Sequence, residues 1–138
     1  MNLNYDIQKI ELVLREAVLN GGVSKNVFMG QRPSVVNESM SITKSLNDFV
    51  VVKVPTSVRD RAAIGECICR IEWFVRNEPS GLKNSVKLSA IYSKLESIFP
   101  IQNDTYVFDI YNDVMVLGND NENFHVQAIN INTIIKTI

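Results

Sequence analysis

Side chains able to do chemistry are few in this chain, and their spacing limits what they can do. His125 is the sole histidine, beside Phe124 and close to Gln127. Imidazole catalysis needs a nucleophile or a carboxylate held within hydrogen-bond reach, and no G-x-S-x-G or H-E-x-x-H pattern surrounds it. His125 therefore reads as an exposed histidine on a strand. The alternative is a small enzyme or ligand-binding domain whose cleft gathers His125 with Asp109 or Asp113. Asp104, Asp109 and Asp113 would form a catalytic pair only if two of them faced one cavity. Asp104 falls in a linker and Asp113 in a turn, so solvated carboxylates are the simpler reading. The run Asn119-Asp120-Asn121-Glu122-Asn123 places oxygen-bearing side chains as the start of a calcium loop does. An EF-hand also needs glycine at its sixth position and a bidentate glutamate at its twelfth, and here those are Phe124 and Asn130. The run reads as a solvated hairpin turn.

Cys67 and Cys69 sit two apart. On a strand such positions lie ~6.6 Å apart on one face, whereas a disulfide wants Cβ atoms about 3.8 Å apart. A metal site needs further ligands, and His125 is far along the chain. Both read as small buried core residues. Gly21-Gly22 ends a helix and no Gly-Lys-Ser follows, so no phosphate cradle is indicated. These readings imply no catalytic residue, no cofactor and no metal.

The elements that would position these residues follow from periodicity. Leu3, Ile7, Ile10, Leu14 and Ala17, widened by Val13 and Val18, form a helical stripe that Gly21-Gly22 stops, with Lys9, Glu11, Arg15 and Glu16 on its wetter side. Val27-Phe28-Met29 is a short strand before Gly30 and Pro33. A long polar segment, residues 31–48, then holds Val35, Val36, Met40, Ile42 and Leu46 among serines and asparagines; loops this long are often functional or disordered. Phe49 to Val54 is a valine-rich strand ended by Pro55. Residues 62–76 alternate, with Cys67, Cys69, Ile71, Trp73 and Val75 on one face and Glu66, Arg70, Glu72 and Arg76 on the other, as in a strand with one buried face. The two strands form a hairpin with the charged cluster Arg59-Asp60-Arg61 at its tip. A second helix runs from Asn84 or Ser85 to Phe99, carrying Leu88, Ile91, Tyr92, Leu95 and Ile98. Residues 105–111 form a strand that Val114 to Leu117 continues after a turn at Asn112-Asp113. The last strand, residues 124–134, changes phase between Ala128 and Ile129, which a bulge near Ala128 reconciles. The fold class is α+β: a mainly antiparallel sheet with two helices packed on one face, in the order α-β-β-β-α-β-β.

The chain has 138 residues, 46% of them hydrophobic and 21% charged, with a formal net charge of −1. That is one globular domain, residues 1–138. The near-zero charge excludes the basic footprint of a dedicated nucleic-acid binder. The apolar runs fall far below the ~18 residues of a membrane span, and the first residues show no signal-peptide pattern, so an intracellular protein at synthesis is expected.

The layout resembles the tail terminator and tail completion proteins of long-tailed bacteriophages and prophages. The likeness rests on a first helix, the strand running into Val27-Phe28-Met29-Gly30-Gln31-Arg32-Pro33, the valine-rich Phe49-Val50-Val51-Val52, the long strand from Gly65 to Val75, and a helix ending in Leu95-Glu96-Ser97-Ile98-Phe99. It spans nearly the whole chain. It implies a non-enzymatic subunit that forms rings, commonly hexamers, caps the tail tube and contacts tube and neck proteins. It implies residence in the virion and, during assembly, in the host cytoplasm. Met40, Ile42 and Lys44 in the polar segment and Arg59, Asp60 and Arg61 at the tip are the candidate subunit contacts, and head-to-tail contacts would join unlike patches.

Overall fold

Two strands of thirteen residues each make the spine of the sheet. A computed structural model describes residues 2–33, 46–111 and 113–136. The strands are β1 (Val27–Met29), β2 (Asp48–Lys53), β3 (Arg59–Asp60), β4 (Ile64–Arg76), β5 (Ile101–Gln102), β6 (Tyr106–Ile110), β7 (Met115–Asn119) and β8 (Phe124–Lys136). The helices are α1 (Ile7–Asn20) and α2 (Ser85–Ile98). The protein is α+β, with a curled, mostly antiparallel sheet of eight strands in the order β1-β2-β4-β8-β6-β5; β3 pairs with β4 and β7 with β8. Among the described residues only β1 and β2 pair in parallel.

The expected order α-β-β-β-α-β-β is too simple. The structure adds the two-residue strands β3 and β5 and separates β7 from β6. Runs of two residues carry no periodicity, which is why pattern alone misses them. The hairpin of β2 with β4 is as expected. So is the continuation past residues 112–113: β6 and β7 lie end to end along one edge of β8, with Ile110 opposite Ile131 and Met115 opposite Ala128.

The phase change in the last strand has a different cause from the one expected. Opposite β4, β8 keeps one unbroken register from Ile64 with Lys136 to Arg76 with Phe124, so no bulge falls at Ala128 on that side. The sheet instead buries both faces at this end. Ile129, Ile131 and Ile135 join the larger core; Phe124 and Val126 point the opposite way into a second cluster with Phe49, Val51 and Phe74. The irregularity lies in β7, between Val116 and Gly118.

The larger core takes Ile10, Leu14 and Val18 from α1 and Leu88, Ile91 and Leu95 from α2, packed with Val50, Val52, Cys69, Ile71, Trp73 and Phe108 of the strands. Asp6 caps α1 by accepting the Gln8 N–H at 3.0 Å, and Asn84 caps α2 through the Lys87 N–H at 3.1 Å. Leu3 departs from the expected stripe: it lies in a 3-10 turn before α1 and is 78% exposed. Glu11 departs the other way. It is buried, and its carboxylate accepts the Val54 N–H at 3.0 Å, satisfying the chain just past the end of β2. No helix among the described residues is long and apolar enough to cross a membrane.

On the opposite face, Lys53 stands directly across from Arg70. Two cations facing each other repel, and Glu72 relieves this by bridging to both at 3.2 Å. Replacing fully buried Leu14 with alanine is expected to lower unfolding free energy by about 2–5 kcal/mol, because it removes methyl groups from a packed interior. The same change at half-exposed Leu12 is expected to cost under ~0.5 kcal/mol. Urea unfolding followed by circular dichroism measures both, and equal effects would refute this assignment of the core.

Candidate functional site: a charged strand tip and a filled guanidinium socket

Three of the six candidate contact residues, Met40, Ile42 and Lys44, lie outside the described residues. The other three form the tip. Arg59 and Asp60 pair with Glu66 and Gly65, and the chain reverses through Ala62 at φ 69°. Asp60 builds this turn, since its carboxylate accepts the Ala62 N–H at 2.9 Å. The Arg61 N–H closes it on the Ile64 carbonyl at 2.8 Å. Arg59, Asp60 and Arg61 all remain exposed. The Arg61 to Glu66 ion pair, 3.5 Å long and about half exposed, contributes little.

The chain's start braces the tip. The Tyr106 hydroxyl donates to the Asn4 carbonyl at 2.8 Å, and burial pushes its pKa up to about 12. That anchor sets the Tyr5 ring directly on Gly65, so close that a side chain at residue 65 would collide with it. Tyr5 then donates its hydroxyl to Asp60 at 3.4 Å. Desolvation first, and the Asp60 charge second, raise the Tyr5 pKa.

The second arrangement escapes a sequence reading. Phe49, Phe74 and Phe124 come from three adjacent strands and meet on the face away from the larger core. Phe49 stacks on Phe74 at 4.3 Å and meets Phe124 edge-on at 5.1 Å. The Arg32 guanidinium sits 5.3, 5.3 and 5.5 Å from the Phe49, Phe74 and Phe124 ring centres. Two carboxylates complete the enclosure: Asp120 pairs with Arg32, and Glu122 does so at 3.1 Å. The run 119–123 is thus a hairpin turn as expected, but its acids are not simply solvated. One Asp120 oxygen accepts the Glu122 and Phe124 N–H groups at 2.9 Å each, which leaves the other oxygen for Arg32. On the far side, Arg76 lies 4.4 Å from the Phe124 ring centre and donates to the Leu46 carbonyl at 3.0 Å. The sequence signal was present only in pieces. Phenylalanines at 49, 74 and 124 become neighbours once the register is known, and Arg32 stands 88 positions from Asp120.

His125 is not the exposed histidine expected. It is buried, opposite Val75 on one side and Asn119 on the other. Burial first, and the Lys83 charge second, lower its pKa. Asp109 does not join it. Asp109 faces Asn132, near the other end of β8 and, by the alternation of side chains, on the opposite face. Asp113 is exposed at the break between β6 and β7, where its charge acts on Tyr92. Cys67 and Cys69 are free and buried, and the Cys69 sulfur lies 3.1 Å from the Thr133 hydroxyl, giving that buried hydroxyl a partner. Among the described residues no group of three or more histidine, cysteine, aspartate or glutamate side chains is placed to hold a metal ion.

Three open grooves border these features. One of about 630 Å³ is lined by Asn47, Arg76, Asn77, Asn84, Lys87 and Asn123. A second, of about 660 Å³, lies across the Lys87 to Asp48 ion pair of 2.7 Å. A third, of about 380 Å³, runs beside the tip between Arg59, Glu66 and Tyr111. No known protein-family model matches this chain, and no curated protein matches it either.

The lowered His125 pKa sets a sign for stability against pH. Above the unfolded value of about 6.5 the ring is neutral in both states. Below it the unfolded chain takes up the proton first, so this group's contribution is lost as pH falls through the lower folded value. His125→Gln is expected to flatten the fall in unfolding free energy as pH drops from 7 toward 5, read from urea melts at stepped pH. An unchanged slope would show that His125 is not the group responsible.

Proposed function

We propose that this protein is a non-enzymatic tail assembly subunit of a phage or prophage. In this reading it is a tail terminator or head-tail joining protein, present in the virion and in the host cytoplasm during assembly. It acts by forming a ring, a hexamer being the form the resemblance suggests, and by touching tail tube and neck proteins. In this reading the two helices lie on one face of the sheet and leave the strand edges for contacts.

One observation carries most of the weight. The outer strands on the two sides of the sheet differ in chemistry. On the β4 side, β3 presents exposed Arg59 and Asp60, with Arg61 next to them. On the β8 side, β7 is uncharged and leaves Val116 66% and Leu117 46% exposed. Unlike patches on opposite sides of one subunit suit head-to-tail joining, which closes into a ring when the rotation per copy allows. The α+β class and the polar composition of residues 31–48 are in keeping with the layout resemblance. Neighbouring genes for portal, major tail and tape-measure proteins would support the class directly.

The reading in which His125 works with carboxylates gains nothing from the geometry, since the charge nearest to it in effect is that of Lys83.

Light scattering on size-fractionated protein, with negative-stain imaging in the presence of the tube protein from the same gene cluster, tests the assembly reading. Rings are expected. The double change Arg59→Glu with Arg61→Glu is expected to lower ring yield roughly tenfold through lost charge contacts. Because both side chains are exposed, unfolding free energy should move by under ~0.5 kcal/mol. A protein that stays monomeric at every concentration, with or without tube protein, would sink the proposal.

A further inference from the structure

We propose that the groove between α2 and the open edge of β7 receives residues 38–44 of a second copy of this chain as an added strand. This rests on the assembly reading and names the contact made on the β7 side.

The site is built from two elements. β7 pairs with β8 on one side only. Phe124 turns its carbonyl toward the β7 side, where it accepts the Asp120 N–H. Val126 and Ala128 are in step with Phe124, so their partners Gly118 and Met115 bond inward, and Val116 turns its N–H and C=O outward. Among the described residues nothing is bonded to that outward pair. Beside this edge α2 presents the stripe Ser85, Leu88, Ser89 and Tyr92 to a groove of about 170 Å³, which Val114 and Gln127 line from the strand side. Val116 stands opposite Gln127, on the groove's face of the sheet, and is 66% exposed. An open edge beside a helix-walled groove suits an extended segment: main-chain bonds run along the edge, and alternate side chains enter the groove.

The groove also has a charge direction. Lys83 lines one end, exposed and in no ion pair, close enough to His125 for its charge to act there. At the other end Glu96 and Asp113 both act on Tyr92. Asn119 stands opposite His125, so a strand added antiparallel to β7 starts at the Lys83 end. The site thus asks for an acid first, apolar residues at alternate positions, and a base last. Glu38-Ser39-Met40-Ser41-Ile42-Thr43-Lys44 has that order. In an extended chain Glu38, Met40, Ile42 and Lys44 share one face, and the two charges stand ~20 Å apart. Ser85 to Glu96 covers about 16 Å of helix, with Lys83 just before it.

The occupant comes from another copy. Leu46, whose carbonyl accepts the Arg76 side chain at 3.0 Å, leads into β2, and β4 and β8 lie between β2 and β7. Three strand spacings are ~14 Å. Lys44 is two residues from Leu46, about 7 Å of chain at most. A subunit's own Lys44 therefore falls short of the Asp113 end of its own groove. The donor side at β2 and the acceptor side at β7 lie on opposite sides of the sheet, so the contact is head-to-tail.

A synthetic peptide of residues 38–44, labelled and capped at both ends, tests the site on the full chain by fluorescence anisotropy, at concentrations where light scattering shows monomer. Saturable binding is expected. The same peptide with its glutamate and lysine exchanged should bind roughly tenfold more weakly. Lys83→Glu should weaken the parent peptide by a similar factor, and a Glu38→Lys peptide should restore affinity for that variant to within about threefold of the parent pair. Val116→Pro removes only an outward N–H, so it should abolish binding while the protein melts near the parent temperature. In full chains, Glu38→Lys and Lys83→Glu should each weaken self-association, and a chain carrying both should recover it. If the parent associates while the peptide binds alike in both charge orders, or not at all, this docking is refuted and ring assembly stands. If the parent itself never associates, both fall.

Discussion

The antiparallel pairing of β4 with β8 is the constraint on which the rest of the structure depends. Thirteen residues of each strand face one another in a single register, without a slip. Side chains alternate along a strand, so this register decides at once which residues share a face. Cys67, Cys69, Ile71 and Trp73 fall on the same side as Ile129 and Ile131, and that side becomes the larger core. Each long strand is flanked on its outer edge by a broken one: β2 and β3 lie along β4, and β6 and β7 along β8. The breaks do not leave the spine unsatisfied. The Thr56 hydroxyl stands in for a missing ladder residue by meeting both the N–H and the carbonyl of Ile68 at 3.3 Å. The Tyr111 N–H does the same work at the other break by reaching the Asn130 carbonyl at 3.0 Å. Two long strands thus stay fully paired while their neighbours turn away to form surface features.

The same register forces a second, smaller problem and its solution. Where β2 lies beside the end of β4 near Arg76, both faces of the sheet carry large apolar side chains. The four residues Phe49 to Val52 are all fully buried. On one side Val50 and Val52 join the larger core; on the other Phe49 and Val51 join the aromatic cluster that Arg32 caps. Covering it with an apolar chain would leave the two acids of the turn before β8 without a cation. Arginine suits both tasks because its long stem lies along apolar surface while its planar head stacks on rings and pairs with carboxylates. Arg32 and Arg76 both approach Phe124, and the Asp120 and Glu122 carboxylates pair with Arg32. Cation and acids are each costly to bury singly and acceptable together.

What the sequence disclosed divides along the range of the interactions. Elements set by local pattern were legible: the alternation in residues 62–76, the helical stripes of α1 and α2, the Asn84 cap, the turn at 119–123, and the continuation of β6 into β7. The α+β class follows from these. What depends on partners far along the chain was not. Val126 next to Ile129 looked like a slipped phase because a pattern of one buried face was assumed, and two buried faces produce the same string. Histidine on a strand is usually exposed, whereas the burial of His125 is decided by its place beside Val75. Glu11 was placed on the wet side of its helix, since nothing nearby in sequence shows that the chain after β2 ends against it with an unpaired N–H. Of the candidate contacts, Arg59, Asp60 and Arg61 were legible as a charged turn between two strands. Arg32 was hidden, because its partners lie in four other parts of the chain and gather only when the sheet is assembled.

The edges of the sheet are protected unequally. An open edge offers unpaired N–H and C=O groups, and proteins protect such edges with charge, brevity, bulges or cover. The outer strands here use several of these devices. At β1 the Arg15 side chain donates to the Val27 carbonyl at 2.8 Å, covering the edge from α1. At β3 the edge is two residues long and carries an arginine and an aspartate. At β5 it is two residues long. At β7 the strand is longer and uncharged, and its one device is the irregularity between Val116 and Gly118. Protection is therefore uneven around the molecule: strong by charge on the side of the tip, weak on the side of Val116 and Leu117. Identical edges favour two-fold pairing, in which a patch meets itself; pairing tip to tip here would leave the apolar side of Val116 and Leu117 unmatched. In the proposed assembly such unequal sides favour joining one side to the other, and the number of copies would then be set by the angle each contact imposes.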